Sequence, residues 1–134
     1  MSKRRDCEER FRERYSAPVA EATLVVERDV IGANVGANGY TTVEQADMLA
    51  QRLELTAGAT LLDIGSGRGW PGLHLAAKTG CRAVLMDLPE PALSSAVRRA
   101  DKQHLRNVSV TRASAIRLPF KARAFDVITH TDTL

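Results

Sequence analysis

An acidic residue followed by spaced glycines forms the part of this chain best suited to binding a ligand. From Asp63 to Gly69 the sequence reads DIGSGRG, with a glycine at every second position from Gly65 onward. Glycine lets the backbone turn sharply and approach a ligand closely, because it carries no Cβ atom. The apolar run TLLDI at 60–64 precedes the glycines and predicts a buried strand that feeds a tight turn. The segment therefore indicates a ligand-binding turn between a strand and a helix.

A second acid stands where a nucleotide-binding fold would use one. Asp87 ends the next predicted strand, 22 residues after Gly65. A carboxylate at that place can accept hydrogen bonds from both hydroxyls of a ribose. In parallel sheets, ligands bind in the crevice at the carboxyl ends of the strands. We therefore expect the glycine turn, Asp87 and the residues after the third strand to face one ligand.

Two other phosphate-binding loops do not fit this spacing. The GxGxxG turn of dinucleotide-binding proteins requires a third glycine where this chain has Trp70, and Gly69 comes one residue early. A Walker loop is excluded because no Gly-Lys-Ser or Gly-Lys-Thr occurs in the sequence. A nicotinamide-dependent oxidoreductase is thereby disfavoured, and tight binding of NADH would be needed to support it.

Strands and helices alternate around these residues. Apolar runs predict strands at 60–64, 83–86, 108–110 and 125–129, and helical spacing predicts helices at 41–54, 71–80 and 91–104. This alternation predicts the α/β class, with a doubly wound parallel sheet of about four strands and helices on both faces. Residues 39–134 would form this domain.

The first part of the chain predicts a helical arm. In residues 3–15 (KRRDCEERFRERY) acids stand four residues ahead of bases, which favours a solvent-facing helix. A second helix is predicted from a Ser16 cap to Gly32, and the turn-forming stretch GANVGANG follows it. We interpret residues 1–38 as an N-terminal helical arm and Gly/Asn-rich loop, which can cover the site.

The segment Leu61–Gly69 (LLDIGSGRG) resembles the first motif of the Rossmann-like, or class I, S-adenosylmethionine-dependent methyltransferases. Later landmarks of that family are matched in the same order by Gly39-Tyr40-Thr41-Thr42, Asp87-Leu88, Leu118-Pro119-Phe120 and Phe125-Asp126-Val127-Ile128. The resemblance implies a Rossmann-like sheet and methyl transfer from S-adenosylmethionine to an acceptor by direct displacement. It also implies a set of cofactor-binding residues: Tyr40, Asp63, Gly65, Ser66, Gly67, Gly69, Asp87, Leu88, Ser114 and Ala115.

Within the resemblance these residues have expected roles. Asp87 would hold the ribose and Leu88 would lie beside the adenine. Asp63 and Gly65 would lie near the methionine end of the cofactor, with Tyr40 above it. The cofactor carries the reactive methyl group, so no catalytic side chain is required and none is assigned.

Three further side chains near the site have two interpretations each. Tyr40 either covers the ligand or anchors the first helix of the domain. Trp70 is a packing residue more often than a ligand contact. His130 follows the fourth strand, where a general base would stand if the acceptor needed one, and it is otherwise an ordinary exposed histidine.

Two departures from the family pattern lead to expectations of their own. Ser114 and Ala115 stand where the family usually has an acid that hydrogen-bonds the adenine amino group, so binding there would be weaker or through the backbone.

The sequence also stops five residues after the fourth strand, whereas the family sheet has seven strands. An apolar strand at a sheet edge invites pairing with another chain. We therefore expect self-association or a missing C-terminal half, and the alternative function is a catalytically silent cofactor-binding or partner subunit, or a fragment of a longer methyltransferase.

Composition narrows the class of protein and its partners. The chain has 134 residues, of which 44% are hydrophobic, and a net charge of +3, which fits one soluble domain. Acids and bases are mixed, unlike the basic face of a nucleic-acid-binding protein, and no apolar run could cross a bilayer. Cys7 and Cys81 have no ligand neighbours, so no metal site is predicted. We expect a small-molecule acceptor and a cytoplasmic location, with no nucleic-acid or membrane partner.

Overall fold

Four parallel strands form the centre of the structure, a computed structural model that describes residues 3–132. The strands are β1 (Thr60–Ile64), β2 (Arg82–Asp87), β3 (Val108–Arg112) and β4 (Val127–Thr129). The helices are α1 (Lys3–Ser16), α2 (Glu21–Ile31), α3 (Val43–Arg52), α4 (Gly72–Thr79) and α5 (Glu90–Lys102). The strand order is β3-β2-β1-β4, and every pair is parallel. The predicted α/β class and parallel sheet are confirmed, with the strand that feeds the glycine turn at the centre.

One face of the sheet carries the main core. Leu61 of β1 and Leu85 of β2 are fully buried there, and side chains of α3, α4 and α5 join them in one cluster. Because successive strand residues point to opposite faces, these three helices lie on the same side of the sheet. Burial of each such leucine stabilises the fold by roughly 1.5–3 kcal/mol. The cluster therefore fixes the strands whose carboxyl ends form the site.

The connection from β3 to β4 crosses the other face. Since β4 lies beside β1, residues 113–126 must pass β2 and β1, and the right-handed rule places them opposite α4 and α5. This segment forms no helix, and its Phe120 and Phe125 rings pack edge to face at 4.9 Å. Within residues 3–132, the expectation of helices on both faces is therefore met on one face, and an irregular segment crosses the other.

The arm consists of two helices whose junction differs from the prediction. Ser16 ends α1, and its hydroxyl donates to the Arg12 carbonyl at 2.8 Å, so it does not cap the following helix. The second helix begins only at Glu21 and ends at Ile31, and Gly32, with a φ of 102°, stops it as predicted. Within the described part of the chain, no helix combines the length and apolar composition needed to cross a bilayer.

Candidate active site

The turn after β1 is shaped by its glycines. Gly65, Gly67 and Gly69 have φ values of 68°, 53° and 102°, which side chains rarely allow. The amides of Gly65 and Ser66 both donate to the Met86 carbonyl, at 2.8 and 3.1 Å. These bonds tie the turn to the end of β2, where the second acid follows.

The carboxylate of Asp87 binds the main chain of the turn. Its Oδ2 accepts a hydrogen bond of 2.8 Å from the Gly67 amide, and its Oδ1 accepts one of 2.8 Å from the Leu88 amide. Each carboxylate oxygen has a further lone pair, so both can still accept a hydroxyl. The glycine turn and the second acid, which the sequence placed at one crevice, are in direct contact.

A cavity of about 510 Å³, the main cavity of this site, opens beside Asp87 and the turn. Its volume lies in the range of small-molecule sites, which is roughly 300–1,000 Å³. Apolar walls are provided by Ile64, Met86 and Ile116. The cavity is lined by a subset of the predicted cofactor-binding residues: Gly65, Asp87, Leu88, Ser114 and Ala115.

Asp63 lies behind the turn rather than in the cavity. It shares a sheet face with Leu61 and Leu85, which the helices cover, and it is 1% exposed. Its Oδ1 accepts a hydrogen bond of 2.8 Å from the Thr129 hydroxyl, while Oδ2 faces Gly72 without a well-formed bond. Burial raises the pKa of this carboxyl to about 7. Asp63 therefore supports the turn from below.

Three other predicted residues also lie outside the main cavity. Ser66 and Gly67 line a second cavity of only about 30 Å³ against the turn. Gly69 is buried, and a side chain there would collide with Leu73 of α4. Ser66 and Gly69 thus shape the turn, and Gly67 offers its amide to Asp87.

Tyr40 stands apart from both cavities. Its side chain is 83% exposed and lines a groove beside α3. The next residue is held in place by Trp70, whose indole nitrogen donates to the Thr41 carbonyl at 2.8 Å. Trp70 itself packs with Ile31 and Ala46 in a small second core. The aromatic anchor of this segment is therefore Trp70, and a covering role for Tyr40 stays a prediction.

The aromatic side chain that does cover the turn is Tyr15, at the end of α1. Its hydroxyl accepts a 2.9 Å hydrogen bond from the Asn38 amide, and the Arg68 guanidinium lies 4.8 Å from its ring centroid. A Cβ added to Gly67 would come 2.9 Å from the Tyr15 hydroxyl. Burial, and after it the Asp87 carboxylate, raises the pKa of this phenol. In the sequence, Tyr15 is only the last residue of the charged segment 3–15 that predicts a solvent-facing helix.

The rest of α1 closes one side of the main cavity. Cys7 and Phe11 line it, and the Arg4 guanidinium donates to the Ser114 hydroxyl at 3.3 Å. A cation thus stands beside the position where the resembling family usually has an acid. His130, at the end of β4, also lines the cavity. α1 therefore lies where a helical arm would cover the site, and the covering role of the arm stays a prediction.

Comparison with known proteins adds the family. A family model described as a methyltransferase domain matches residues 61–134, more than half of the chain. The chain belongs to this methyltransferase domain family. The matched segment contains β1, the glycine turn and Asp87, so it includes the contacts around which the cavity is built.

Relatives of this methyltransferase domain are considerably longer. The 27-O-demethylrifamycin SV methyltransferase of Amycolatopsis mediterranei is 33% identical over 94 residues, which are 69% of this chain and 35% of that protein. A solved structure of a SAM-dependent methyltransferase from Thiobacillus denitrificans with S-adenosyl-L-homocysteine has a TM-score of 0.63 at 23% identity and covers 87% of this chain and 45% of the other. Coclaurine N-methyltransferase with N-methylheliamine and SAH has a TM-score of 0.60 at 25% identity and covers 66% of this chain and 25% of the other. The chain thus spans about a third of the curated relative it matches.

Proposed function

We propose that this methyltransferase domain binds S-adenosylmethionine and serves methyl transfer to a small-molecule acceptor. The observation that carries the proposal is that the Asp87 carboxylate, held by the Gly67 amide, and the main chain of Gly65 line the same cavity of about 510 Å³. It joins an acid suited to a ribose with bare main chain at one ligand-sized space. The family match supports the proposal, and so do related structures solved with S-adenosylhomocysteine.

The residues around the cavity fit such a cofactor. Asp87 has lone pairs free for the ribose hydroxyls, and Leu88 and Ile116 would flank the base through apolar contacts. Gly65 presents main chain with no side chain in the way. When bound, the cofactor supplies an electrophilic methyl group on a sulfonium. The chain's own contribution is to bind, orient and shield, and good orientation alone is worth roughly 7–11 kcal/mol of barrier.

A small organic acceptor is favoured by two of the relatives. One is a methyltransferase of 27-O-demethylrifamycin SV, and the other was solved with N-methylheliamine. The cavity wall formed by Phe11 and Ile116 would suit an apolar acceptor. His130 lines the same cavity, and its role as a general base stays a prediction.

Binding measurements test the cofactor. In isothermal titration with S-adenosylhomocysteine, Asp87→Ala should lose at least about 100-fold in affinity, because two hydrogen bonds to a charged group are worth roughly 1.5–3 kcal/mol each. Asp101→Ala removes an exposed acid from α5 and is the matched control. Equal affinity of Asp87→Ala and the wild type, or tight NADH binding, would contradict the proposal. Binding without labelled product from cell extract would instead favour the catalytically silent alternative.

Association with another chain and a cytoplasmic location both remain predictions. β4, with the apolar residues Val127 and Ile128, lies at one edge of the described sheet, so its outer side pairs with no described strand. An exposed apolar edge favours pairing with a further strand. Native mass spectrometry measures the association directly, and a strictly monomeric particle would contradict self-association.

A further inference from the structure

Tyr15 and Asn38 stand between the two cavities at the glycine turn. Both residues line the main cavity of about 510 Å³ and also the small one of about 30 Å³, as Gly65 and Asp132 do. The Tyr15–Asn38 hydrogen bond of 2.9 Å closes this partition. The small cavity holds no more than about one or two water molecules. The space next to the turn is therefore filled by α1 and the loop before α3.

The space that α1 and the loop before α3 fill lies over the main chain of the glycine turn, where no glycine side chain blocks access. The small cavity is bounded by Gly65, Ser66 and Gly67, and the Tyr15 hydroxyl touches the open side of Gly67. The main cavity, by contrast, contains Asp87 and Leu88 and has mostly apolar walls. In the main cavity the sugar can bind Asp87 and the base can pack against apolar walls. A charged amino-acid tail needs polar main-chain groups, and Tyr15 covers those of the glycine turn.

The contacts that hold Tyr15 in this place are few. Besides Asn38, the Arg68 guanidinium packs on its ring at 4.8 Å. None of the described residues of α1 is buried, and Phe11 is 41% exposed. An exposed helix held by these two contacts, by the 3.3 Å hydrogen bond from Arg4 to Ser114 and by its packing beside α5 can leave its position at modest cost.

Resting on the proposed function, we infer that Tyr15 determines which adenine nucleoside the site accepts. With α1 docked, the main cavity takes a nucleoside without an amino-acid tail. A nucleoside that carries the tail, such as S-adenosylmethionine or S-adenosylhomocysteine, has to displace Tyr15 from Gly67. Docking of α1 therefore competes with the amino-acid tail of the complete cofactor and not with its nucleoside part, whose cavity α1 helps to form.

The competition predicts that one substitution changes the affinities for the two ligands differently. If α1 is docked in most molecules, the apparent affinity for the tailed ligand is reduced by the undocked fraction. Tyr15→Ala should then strengthen S-adenosylhomocysteine binding about tenfold and should not strengthen adenosine binding, because α1 forms one wall of the cavity that adenosine would occupy. Tyr15→Phe keeps the ring and loses the hydroxyl at Gly67, so an intermediate gain is expected. Arg10→Ala removes an exposed side chain of the same helix that lines neither cavity, and it should not raise the ratio of the two affinities.

Isothermal titration of both ligands, together with trypsin cleavage at the exposed arginines of α1, tests the inference. Cleavage should be faster with S-adenosylhomocysteine bound than with adenosine bound, because only the tailed ligand displaces the helix. Unchanged S-adenosylhomocysteine binding by Tyr15→Ala would overturn the inference. Weaker binding, or protection of α1 by this ligand, would also overturn it and would identify Tyr15 as a direct ligand contact. Failure of both ligands to bind, or insensitivity of both to Asp87→Ala, would instead overturn the proposed function and this inference with it.

Discussion

Replacement of Asp63 by asparagine should remove a large part of the pH dependence of folding. The carboxyl is buried under the turn with one hydrogen bond to Thr129, and burial raises its pKa to about 7. In the unfolded chain an aspartate has a pKa near 3.9. Between these values the folded protein binds the proton and the unfolded chain does not, so the free energy of unfolding falls as the pH rises.

The size of the effect follows from the two pKa values. At pH 5 the carboxyl is about two units below its folded pKa, and each unit corresponds to about 1.36 kcal/mol. Wild-type protein should therefore lose about 2–3 kcal/mol of unfolding free energy between pH 5 and pH 8 through this group. In Asp63→Asn the side chain is neutral throughout and can still accept from Thr129, so this loss is absent.

Urea unfolding of both proteins at pH 5, 6, 7 and 8 measures the difference. Asp101→Asn, an exposed residue at the end of α5, controls for the change in net charge. The gap between Asp63→Asn and wild type should widen toward pH 8, in favour of the variant. Parallel pH profiles for the two proteins would show that Asp63 does not hold a proton in the folded state and would refute the reasoning.

Three further predictions concern the core, the turn and the edge strand. Leu85→Ala empties a fully buried position and should cost about 2–5 kcal/mol of unfolding free energy, measured by urea unfolding. Gly69→Ala forces a side chain to a φ of 102° against Leu73 and should lower the free energy of unfolding by about 1–3 kcal/mol. The control Gly58→Ala, in open space, should be neutral or slightly stabilising. Equal effects of the two substitutions would contradict the conformational explanation. Hydrogen bonds from Thr60 lower the pKa of Asp126, so the wild type should have a higher thermal midpoint than Asp126→Asn at neutral pH. This advantage should vanish as the pH falls through the lowered pKa of Asp126. A difference in thermal midpoint that stays constant with pH would contradict this prediction.

Much of the sheet could be predicted because its strands are short apolar runs bounded by glycines or charges. The prediction for 60–64 coincides with β1, since that run passes directly into Gly65. β3 extends to Arg112 because Thr111 and Arg112 pair with β2 although they are polar, and composition ended the predicted strand at 110. β4 begins at Val127 because the Asp126 carboxylate accepts from the Thr60 amide. The ends of β3 and β4 therefore depend on hydrogen bonds that the pattern of apolar residues does not reveal.

The candidate site was predictable where local geometry decides it. The turn and Asp87 lie at ends of neighbouring parallel strands, so topology alone brings them together. The role of Tyr15 could not be read, because it depends on contacts with Asn38 and Arg68 that are distant in sequence. The exposure of Tyr40 depends in the same way on the bond from Trp70 to Thr41. Long-range contacts of loops and arms are set by packing, which a single sequence does not specify.

The chain has one tryptophan, and it packs with Ile31 and Ala46 rather than in the main cluster. Its indole nitrogen is bound to the Thr41 carbonyl, so the chromophore sits at the joint between α2, α3 and the glycine turn. The fluorescence of this tryptophan therefore reports on the structure of that joint alone, whereas amide absorbance averages over the whole backbone. A denaturation curve recorded by emission that precedes the backbone curve would show that the joint loosens as its own cooperative unit.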